Sequence, residues 1–249
     1  MWEHGLKYTY PEIISQETLD FIRANEDIIR PINDLDNDQV RSMEDSWTFL
    51  KKTTAPWIPI PIDMPWQGIY KEAYNLLDNN CFSGHRATDG SGWLSLCIHG
   101  LSSVMTGVPE DYGLSNEMED THSKWTDIAQ FCPITVDWLK HTLRYDVYTR
   151  VRFMVVLPGG WIFPHTDRNS TIGMSAANIA INNPEGCKLV MEGWGEMPFT
   201  PGSVFKINTG YKHAVWNNST TPRIHMIVDG DESECFKDKA LEGYKNATK

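Results

Sequence analysis

The most constraining feature of the sequence is a run of short β-type segments between residues 150 and 229. Apolar residues there are interrupted every few positions by Pro and Gly, which are typical of turns. We count eight candidate strands, at 150–157, 161–165, 175–182, 186–192, 194–199, 203–208, 212–217 and 222–229. The segments between them are too short for crossover helices, so the strands must pair mainly in an antiparallel way.

Eight such strands predict a mainly β fold with some α, and the simplest arrangement is a double-stranded β-helix (a cupin-type jelly roll). Residues 16–30 and 66–79 have apolar residues at helical spacing, so we expect N-terminal helices to support the β core. We predict a single domain over residues 1–249. It comprises a helical and irregular support (1–149), the β-helix core (150–229) and a C-terminal tail (230–249).

Prolines alternate along residues 56–65, which excludes a helix and favours an extended path. The preferred interpretation is a connector on the protein surface. The alternative is the wall of a substrate cleft, built by Trp57 and Trp66.

A net charge of -11 and a pI near 5.1 argue against nucleic acid or an anionic membrane as a partner. The N-terminal residues do not resemble a signal peptide, and no apolar run is long enough to cross a membrane. Five widely spaced cysteines without a CxxC pair are typical of reduced thiols. These features predict a cytoplasmic protein, and they leave its oligomeric state open.

Three residues in the β region form a candidate metal site. His165 and Asp167 are two positions apart, so on a strand both face the same side. His213 lies at the start of a later strand, where a jelly roll returns to the same place. Two imidazoles and one carboxylate are the ligands of a non-haem Fe(II) facial triad, with three positions left for a bidentate cosubstrate and O2.

Arg223 follows ten positions after His213, among apolar residues of the last candidate strand. A buried arginine requires an anion, and its planar fork of donors suits a dicarboxylate cosubstrate. His225 is expected on the same face as Arg223. We interpret His225 as a residue that lines the pocket or contacts the substrate rather than as a fourth metal ligand.

Arg152, on the first candidate strand, has two equally weighted interpretations. It binds a carboxylate of the substrate, or it is a surface arginine on an edge strand.

The chain resembles the aspartyl/asparaginyl β-hydroxylase family of Fe(II)/2-oxoglutarate-dependent oxygenases over about residues 132–229. The motifs that carry the resemblance are Cys132-Pro133, Leu157-Pro158-Gly159, His165-Thr166-Asp167, Glu185-Gly186-Cys187, Gly202, His213-Ala214-Val215-Trp216-Asn217, Arg223 and Val228-Asp229. The resemblance implies that His165, Asp167 and His213 bind iron, and that Arg223 binds the distal carboxylate of 2-oxoglutarate.

The chain also departs from some members of that family. Some have glycine in place of Asp167, whereas this chain has a complete triad. Some carry basic residues after the first motif, but residues 171–178 contain none, and Asn178 occupies the place of a histidine. We expect Asn178 to donate a hydrogen bond to 2-oxoglutarate, and we do not extend the substrate of those members to this chain.

The sequence therefore predicts a hydroxylase that uses Fe(II), 2-oxoglutarate and O2 on an amino-acid-like small molecule or on a residue of a protein. Two alternatives stay open. One is a cupin-like protein that binds a metal or a small ligand without turnover. The other is a cupin dioxygenase or isomerase that does not need 2-oxoglutarate.

Overall fold

A computed structural model gives the structure, and it describes residues 8, 10–11, 13–85, 90–167 and 174–249. The strands in these ranges are β1 (Trp57–Ile60), β2 (Ser83–Gly84), β3 (Trp93–Gly100), β4 (Lys124–Trp125), β5 (Tyr145–Val156), β6 (Trp161–His165), β7 (Ala177–Ala180), β8 (Cys187–Met191), β9 (Gly195–Glu196), β10 (Val204–Ile207), β11 (His213–Asn217) and β12 (Arg223–Glu232). The α-helices are α1 (Gln16–Asn25), α2 (Asp38–Arg41), α3 (Ser46–Lys52), α4 (Trp66–Asp78), α5 (Glu117–His122), α6 (Pro133–Trp138) and α7 (Glu234–Ala247). Shorter helical turns of other types span Pro109–Tyr112, Asp127–Phe131 and Leu139–Leu143. None of the described helices has the length and apolarity needed to cross a membrane.

The strands form two antiparallel sheets, one large and one small. The large sheet has the order β1-β10-β7-β12-β5-β3-β2, with β4 paired to β3, and the small sheet has the order β6-β11-β8-β9. From β5 onward, each of the eight predicted strands is present, and the chain passes back and forth between the two sheets. This alternation is the connectivity of a double-stranded β-helix, so the predicted fold is confirmed.

The large sheet separates two apolar layers. Side chains on one face of β5 and β12, such as Phe153 and Met226, are fully buried against the helices. Side chains on the opposite face, such as Met154 and Val156, pack toward Leu189 and Val215 of the small sheet. Because successive strand residues face opposite sides, β5 and β12 contribute to both layers. The space between the two sheets is where the site residues meet.

The first part of the proline-rich stretch is not a surface connector, so the prediction is wrong for those residues. Residues Trp57–Ile60 form β1, the edge strand of the large sheet beside β10, with Pro59 opposite Phe205. A proline is tolerated there because an edge strand has one side on which no ladder hydrogen bond is required. Trp57 is buried and packs edge-on against Trp194, with ring centroids 6.5 Å apart.

The first and last helices both begin with a serine cap. The Ser15 hydroxyl accepts a hydrogen bond from the Thr18 amide at the start of α1. Helix α1 ends at Asn25, earlier than expected, and the Asn25 side chain accepts a hydrogen bond from the Gly193 amide. The stretch expected to be a C-terminal tail contains α7, which packs against β1 and α3.

We expect Gly243→Ala to destabilise the protein, although alanine is favoured over glycine in a helix by about 1 kcal/mol. A Cβ at position 243 of α7 would lie 1.7 Å from the Pro59 carbonyl oxygen of β1, so the helix and the strand would have to separate. Overpacking of this kind costs about 1–3 kcal/mol. The denaturant midpoint of the variant measures this cost.

The matched control is Gly84→Ala, because a Cβ at Gly84 meets no atom within 4 Å. Its midpoint should equal that of the wild-type protein. A Gly243→Ala variant more stable than wild type would contradict the close packing of α7 on β1.

Candidate metal centre and cavity

The three predicted metal ligands meet at one point. His165 ends β6, Asp167 follows two residues later, and His213 begins β11 directly opposite His165 in the antiparallel ladder. One potential ligand atom from each residue lies within 4.8 Å of the others, and His165 Nε2 is 3.7 Å from Asp167 Oδ1. The separation of 48 positions between the two histidines is closed by strand pairing alone.

The backbone determines which nitrogen of each imidazole faces the metal position. His165 Nδ1 lies 2.8 Å from the Phe163 carbonyl oxygen, and His213 Nδ1 lies 3.0 Å from the Tyr211 carbonyl oxygen. A carbonyl oxygen only accepts hydrogen bonds, so each Nδ1 donates a proton and each Nε2 keeps its lone pair. Metal-binding histidines are commonly oriented by this kind of hydrogen bond.

Asp167 is positioned by its own backbone. Its amide donates a hydrogen bond to the Thr209 carbonyl oxygen at 2.9 Å, which ties the end of β6 to the loop before β11. The chain after it, residues 168–173, lies outside the described residues. The first part of the stretch 171–178, in which the sequence lacks basic residues, therefore has no structural description.

All seven predicted site residues line one cavity of about 320 Å3 between the two sheets. They are His165, Asp167, His213, Arg223, Asn178, Arg152 and His225. The metal ligands come from the small sheet and the loop after β6, whereas the other four come from β5, β7 and β12 of the large sheet. The volume is that of a small-molecule site.

Arg223 is a buried cation without an acidic partner among the described residues. Only 3% of its surface is exposed, and its neighbours are the His225 ring and the face of Phe199, whose centroid is 5.9 Å away. Burial lowers the pKa of Arg223 to about 10, so it stays charged at neutral pH. A buried charge of this kind is very costly unless an anion pairs with it.

His225 shares the cavity-facing side of β12 with Arg223, as predicted, and it is fully buried. Arg223 Nη2 lies 2.8 Å from His225 Nδ1, and Asn178 Oδ1 lies 2.8 Å from the same nitrogen. A guanidinium nitrogen only donates, so His225 Nδ1 accepts from Arg223 and has no proton to donate to the Asn178 oxygen. Burial and then the charge of Arg223 hold the pKa of His225 well below its usual range. The ring is therefore neutral and carries its proton on Nε2, which has no partner among the described residues. His225 does not belong to the metal-ligand cluster.

Arg152 is not a surface arginine, so that alternative is wrong. It lies on β5, which is interior to the large sheet because β12 and β3 flank it, and only 8% of its surface is exposed. Its Nη1 donates to the Thr106 carbonyl oxygen and its Nη2 donates to Asp229 Oδ2, both at 2.9 Å. A contact between Arg152 and a substrate carboxylate stays a prediction.

The cavity also contains residues that the sequence analysis did not select. Arg150 and Asp229 share a face with Arg152 and His225 respectively, so two-residue alternation along their strands was a usable signal. His85 is buried, with Nδ1 2.9 Å from Ser95 Oγ and its ring 4.3 Å from the Trp93 ring. No local pattern indicated His85, because it comes from a part of the chain without a recognisable motif.

Comparison with known proteins identifies one family. The sequence profile described as aspartyl/asparaginyl beta-hydroxylase matches residues 64–232, which is more than half of the chain. No curated protein matches the sequence.

Several solved structures are similar to the chain. A Pseudomonas putida prolyl-4-hydroxylase has a TM-score of 0.41 and 12% identity, over 71% of this chain and 93% of that enzyme. A Trichoplax adhaerens prolyl hydroxylase, solved with a peptide of hypoxia inducible factor, has a TM-score of 0.41 and 11% identity, over 78% of this chain and 87% of that enzyme. A Burkholderia pseudomallei oxidoreductase of the 2OG-Fe(II) oxygenase family has a TM-score of 0.36 and 13% identity, over 71% of this chain and 87% of that protein.

We expect His165→Ala and His213→Ala to lose tight Fe(II) binding and to keep their fold. Each substitution removes one of three converging ligands, and no fourth ligand joins this group among the residues that the structure describes. Iron content after anaerobic reconstitution is the measurement. His141→Ala is the control, because its side chain is 71% exposed. Full iron occupancy in both cavity variants would exclude this site.

We also expect the metal-free protein to lose stability as the pH falls below about 6.5. His225 has a lowered pKa when folded but an ordinary one when unfolded, so in this range the unfolded chain binds more protons. The contribution of His225 to the free energy of unfolding is therefore complete at pH values above the pKa of His225 in the unfolded chain. It decreases on acidification below that pKa. His99, whose pKa burial also lowers, contributes in the same direction.

In His225→Gln, the slope of unfolding free energy against pH should be shallower than in wild type by up to about 1.4 kcal/mol per pH unit. Denaturant titrations between pH 5 and 7, in the presence of a chelator, measure the slope. His141→Gln should keep the wild-type slope. Identical slopes for His225→Gln and wild type would contradict a buried, neutral His225.

Proposed function

The chain belongs to the aspartyl/asparaginyl β-hydroxylase family, and on this basis we propose that it is an Fe(II)/2-oxoglutarate-dependent oxygenase. Its substrate is an amino-acid-like small molecule or a residue of a protein. Family membership supports hydroxylation as the reaction class, and the cavity supports the assignment of each residue.

The donor set of the cluster suits Fe(II). His165 and His213 would each bind through Nε2, and Asp167 would supply an anionic oxygen, which is the 2-His-1-carboxylate set with open positions. Iron bound here, together with 2-oxoglutarate, would use O2 to convert a substrate C–H bond to C–OH while the cosubstrate becomes succinate and CO2. The protein holds the ligands in the correct tautomer and keeps the cavity enclosed between the two sheets.

The burial of the Arg223 charge inside the cavity is the observation that supports this proposal most strongly. A metal site alone requires no buried cation, but Arg223 lies in the same cavity as the cluster without an acidic partner among the described residues. The distal carboxylate of 2-oxoglutarate would neutralise its charge, and the fork of donors allows two parallel hydrogen bonds. Neutral His225 would keep the guanidinium oriented and present its Nε2–H to the same ligand.

The alternative functions do not account for Arg223. A cupin-like binding protein without turnover, and an enzyme that does not use 2-oxoglutarate, both need the metal cluster but no uncompensated guanidinium beside it. Asp167 in turn supports hydroxylation rather than halogenation. With iron bound, the Asp167 carboxylate would supply a protein ligand at a position that a halide would otherwise need.

We expect Arg223→Ala to weaken 2-oxoglutarate binding more than tenfold while Fe(II) binding is retained. Loss of a buried, hydrogen-bonded charge pair costs about 2–5 kcal/mol, and about 1.4 kcal/mol is a tenfold change in affinity. Anaerobic titration of the Fe(II) protein with 2-oxoglutarate, followed by the visible charge-transfer band, measures the affinity. Arg223→Lys should restore only part of it, because lysine lacks the planar fork.

The matched control is Arg23→Ala, an exposed arginine of α1 that should bind 2-oxoglutarate like wild type. An Arg223→Ala variant with wild-type affinity would rule out the assigned role of this residue. Absence of the band in the wild-type protein would instead favour the alternative functions.

A further inference from the structure

The cavity floor has two charged ends, of which one is positive and the other carries charges of both signs. Arg223, His225, Ile227 and Asp229 alternate along the cavity-facing side of β12. At about 3.3 Å per strand residue, Arg223 and Asp229 are about 20 Å apart along the backbone. The end at Arg223 carries only positive charge, whereas the end at Asp229 carries both signs. The second end therefore lies too far along the strand to hold the same carboxylate as Arg223.

Three side chains that line the cavity form its second end: Arg150, Arg152 and Asp229. Glu119 does not line the cavity but contacts Arg150, and we call these four residues together the mixed-charge end. Arg150 Nε lies 3.2 Å from Glu119 Oε1 and 3.5 Å from Asp229 Oδ2, and Arg152 Nη2 lies 2.9 Å from the same Asp229 oxygen. Burial opposes ionisation of Asp229, but Arg152 and Arg150 prevail and hold its pKa below the usual range. Two cations and two carboxylates therefore balance one another beside the cavity.

Both the positive and the negative side chains of the mixed-charge end have unused hydrogen-bonding groups. Among the described residues, Arg150 makes one hydrogen bond, from Nη1 to the Gly107 carbonyl, so its Nη2 donors are uncommitted. Asp229 accepts its hydrogen bond through Oδ2, and the contact of Glu119 with Arg150 uses Oε1. The mixed-charge end thus offers donors to an anion and carboxylate oxygens to a cation at the same time.

We infer that the mixed-charge end binds the α-carboxylate and the α-ammonium group of a free amino acid, which is the substrate. This inference rests on the proposed function. A zwitterion adds one charge of each sign and leaves the end neutral, whereas an anion or a cation alone would place a like charge against Asp229 or Arg150. Ile227 and Met154 lie between the two ends, so the side chain of the amino acid would face an apolar wall of the cavity.

The same charges disfavour a residue within a protein chain. Such a residue has amide groups in place of both α-charges, so it would cover the unused donors of Arg150 and the unused oxygen of Asp229 without supplying groups of opposite charge to them. Burial of charges without new partners is unfavourable. The mixed-charge end therefore selects the free amino acid from the two substrate classes.

The first test uses the wild-type protein loaded anaerobically with Fe(II) and 2-oxoglutarate. Each proteinogenic L-amino acid is titrated in turn, and perturbation of the charge-transfer band reports its binding. For the amino acid that binds best, the N-acetyl and the amide derivatives should each bind more than tenfold more weakly. The N-acetyl amide, which resembles a residue in a chain, should bind most weakly.

Equal binding of the free amino acid and its N-acetyl amide would overturn this inference. So would a normal 2-oxoglutarate band that no amino acid perturbs, and in that case the proposed function would stand. Failure of the wild-type protein to form the band would overturn the proposed function, so the two failures are distinguishable.

The second test uses Glu119→Gln, Asp229→Asn and Arg150→Gln. Both carboxylate variants should lose more than tenfold in affinity for the free amino acid and lose the preference for it over the N-acetyl derivative. Arg150→Gln should instead lose the preference for the free amino acid over its amide. All three should bind 2-oxoglutarate like wild type, because the change is at the other end of the cavity.

The matched control is Glu117→Gln, an exposed position on the same short helix as Glu119, which should bind the amino acid like wild type. Removal of Asp229 leaves two arginines without a partner and can prevent folding, so circular dichroism accompanies each variant. Arg150→Gln, at a position that lines the cavity, then decides the question. A folded Arg150→Gln variant that keeps the wild-type preference for the free amino acid over its amide would overturn the inference.

Discussion

The antiparallel ladder between β5 and β12 is the constraint on which the cavity depends. In this ladder Arg223 pairs with Val156 and Asp229 pairs with Arg150, so alternate side chains of both strands face the cavity. The residues between them, such as Ile224 and Met226, are fully buried on the opposite face. A slip of one residue would exchange the two faces and place charges in the apolar core. The same burial that stabilises the fold therefore also determines the position of each charge in the site.

The metal cluster depends on a second ladder, between β6 and β11. That ladder places His165 opposite His213, and the backbone carbonyls two residues before each histidine orient the rings. The three candidate ligands are therefore oriented by the fold itself, so binding of a metal ion would cost little side-chain entropy. Since the two ladders belong to facing sheets, packing of one sheet on the other controls the position of the cluster above the cavity floor.

The distribution of charge gives the two ends of the cavity floor different ligand preferences. Arg223 is buried without an acidic partner, so it favours an anionic ligand. Arg152 has the same type of side chain and is also buried, but its pairing with Asp229 leaves its surroundings nearly neutral. Two arginines on neighbouring strands of one cavity are therefore suited to different ligands, and the difference is set by the residues that face them and not by their own chemistry.

The sequence by itself determined the eight core strands, the convergence of His165 with Asp167 and the shared face of Arg223 with His225, because these depend on the period of two along a strand. The motifs also determined the family. The tertiary structure alone decided that Arg152 pairs with Asp229, which is 77 positions away, and that the proline-rich stretch completes an edge of the large sheet. Local spacing specifies which side chains share a face, but the identity of the residues opposite that face follows from strand order and register. Those are settled only when all strands pack together.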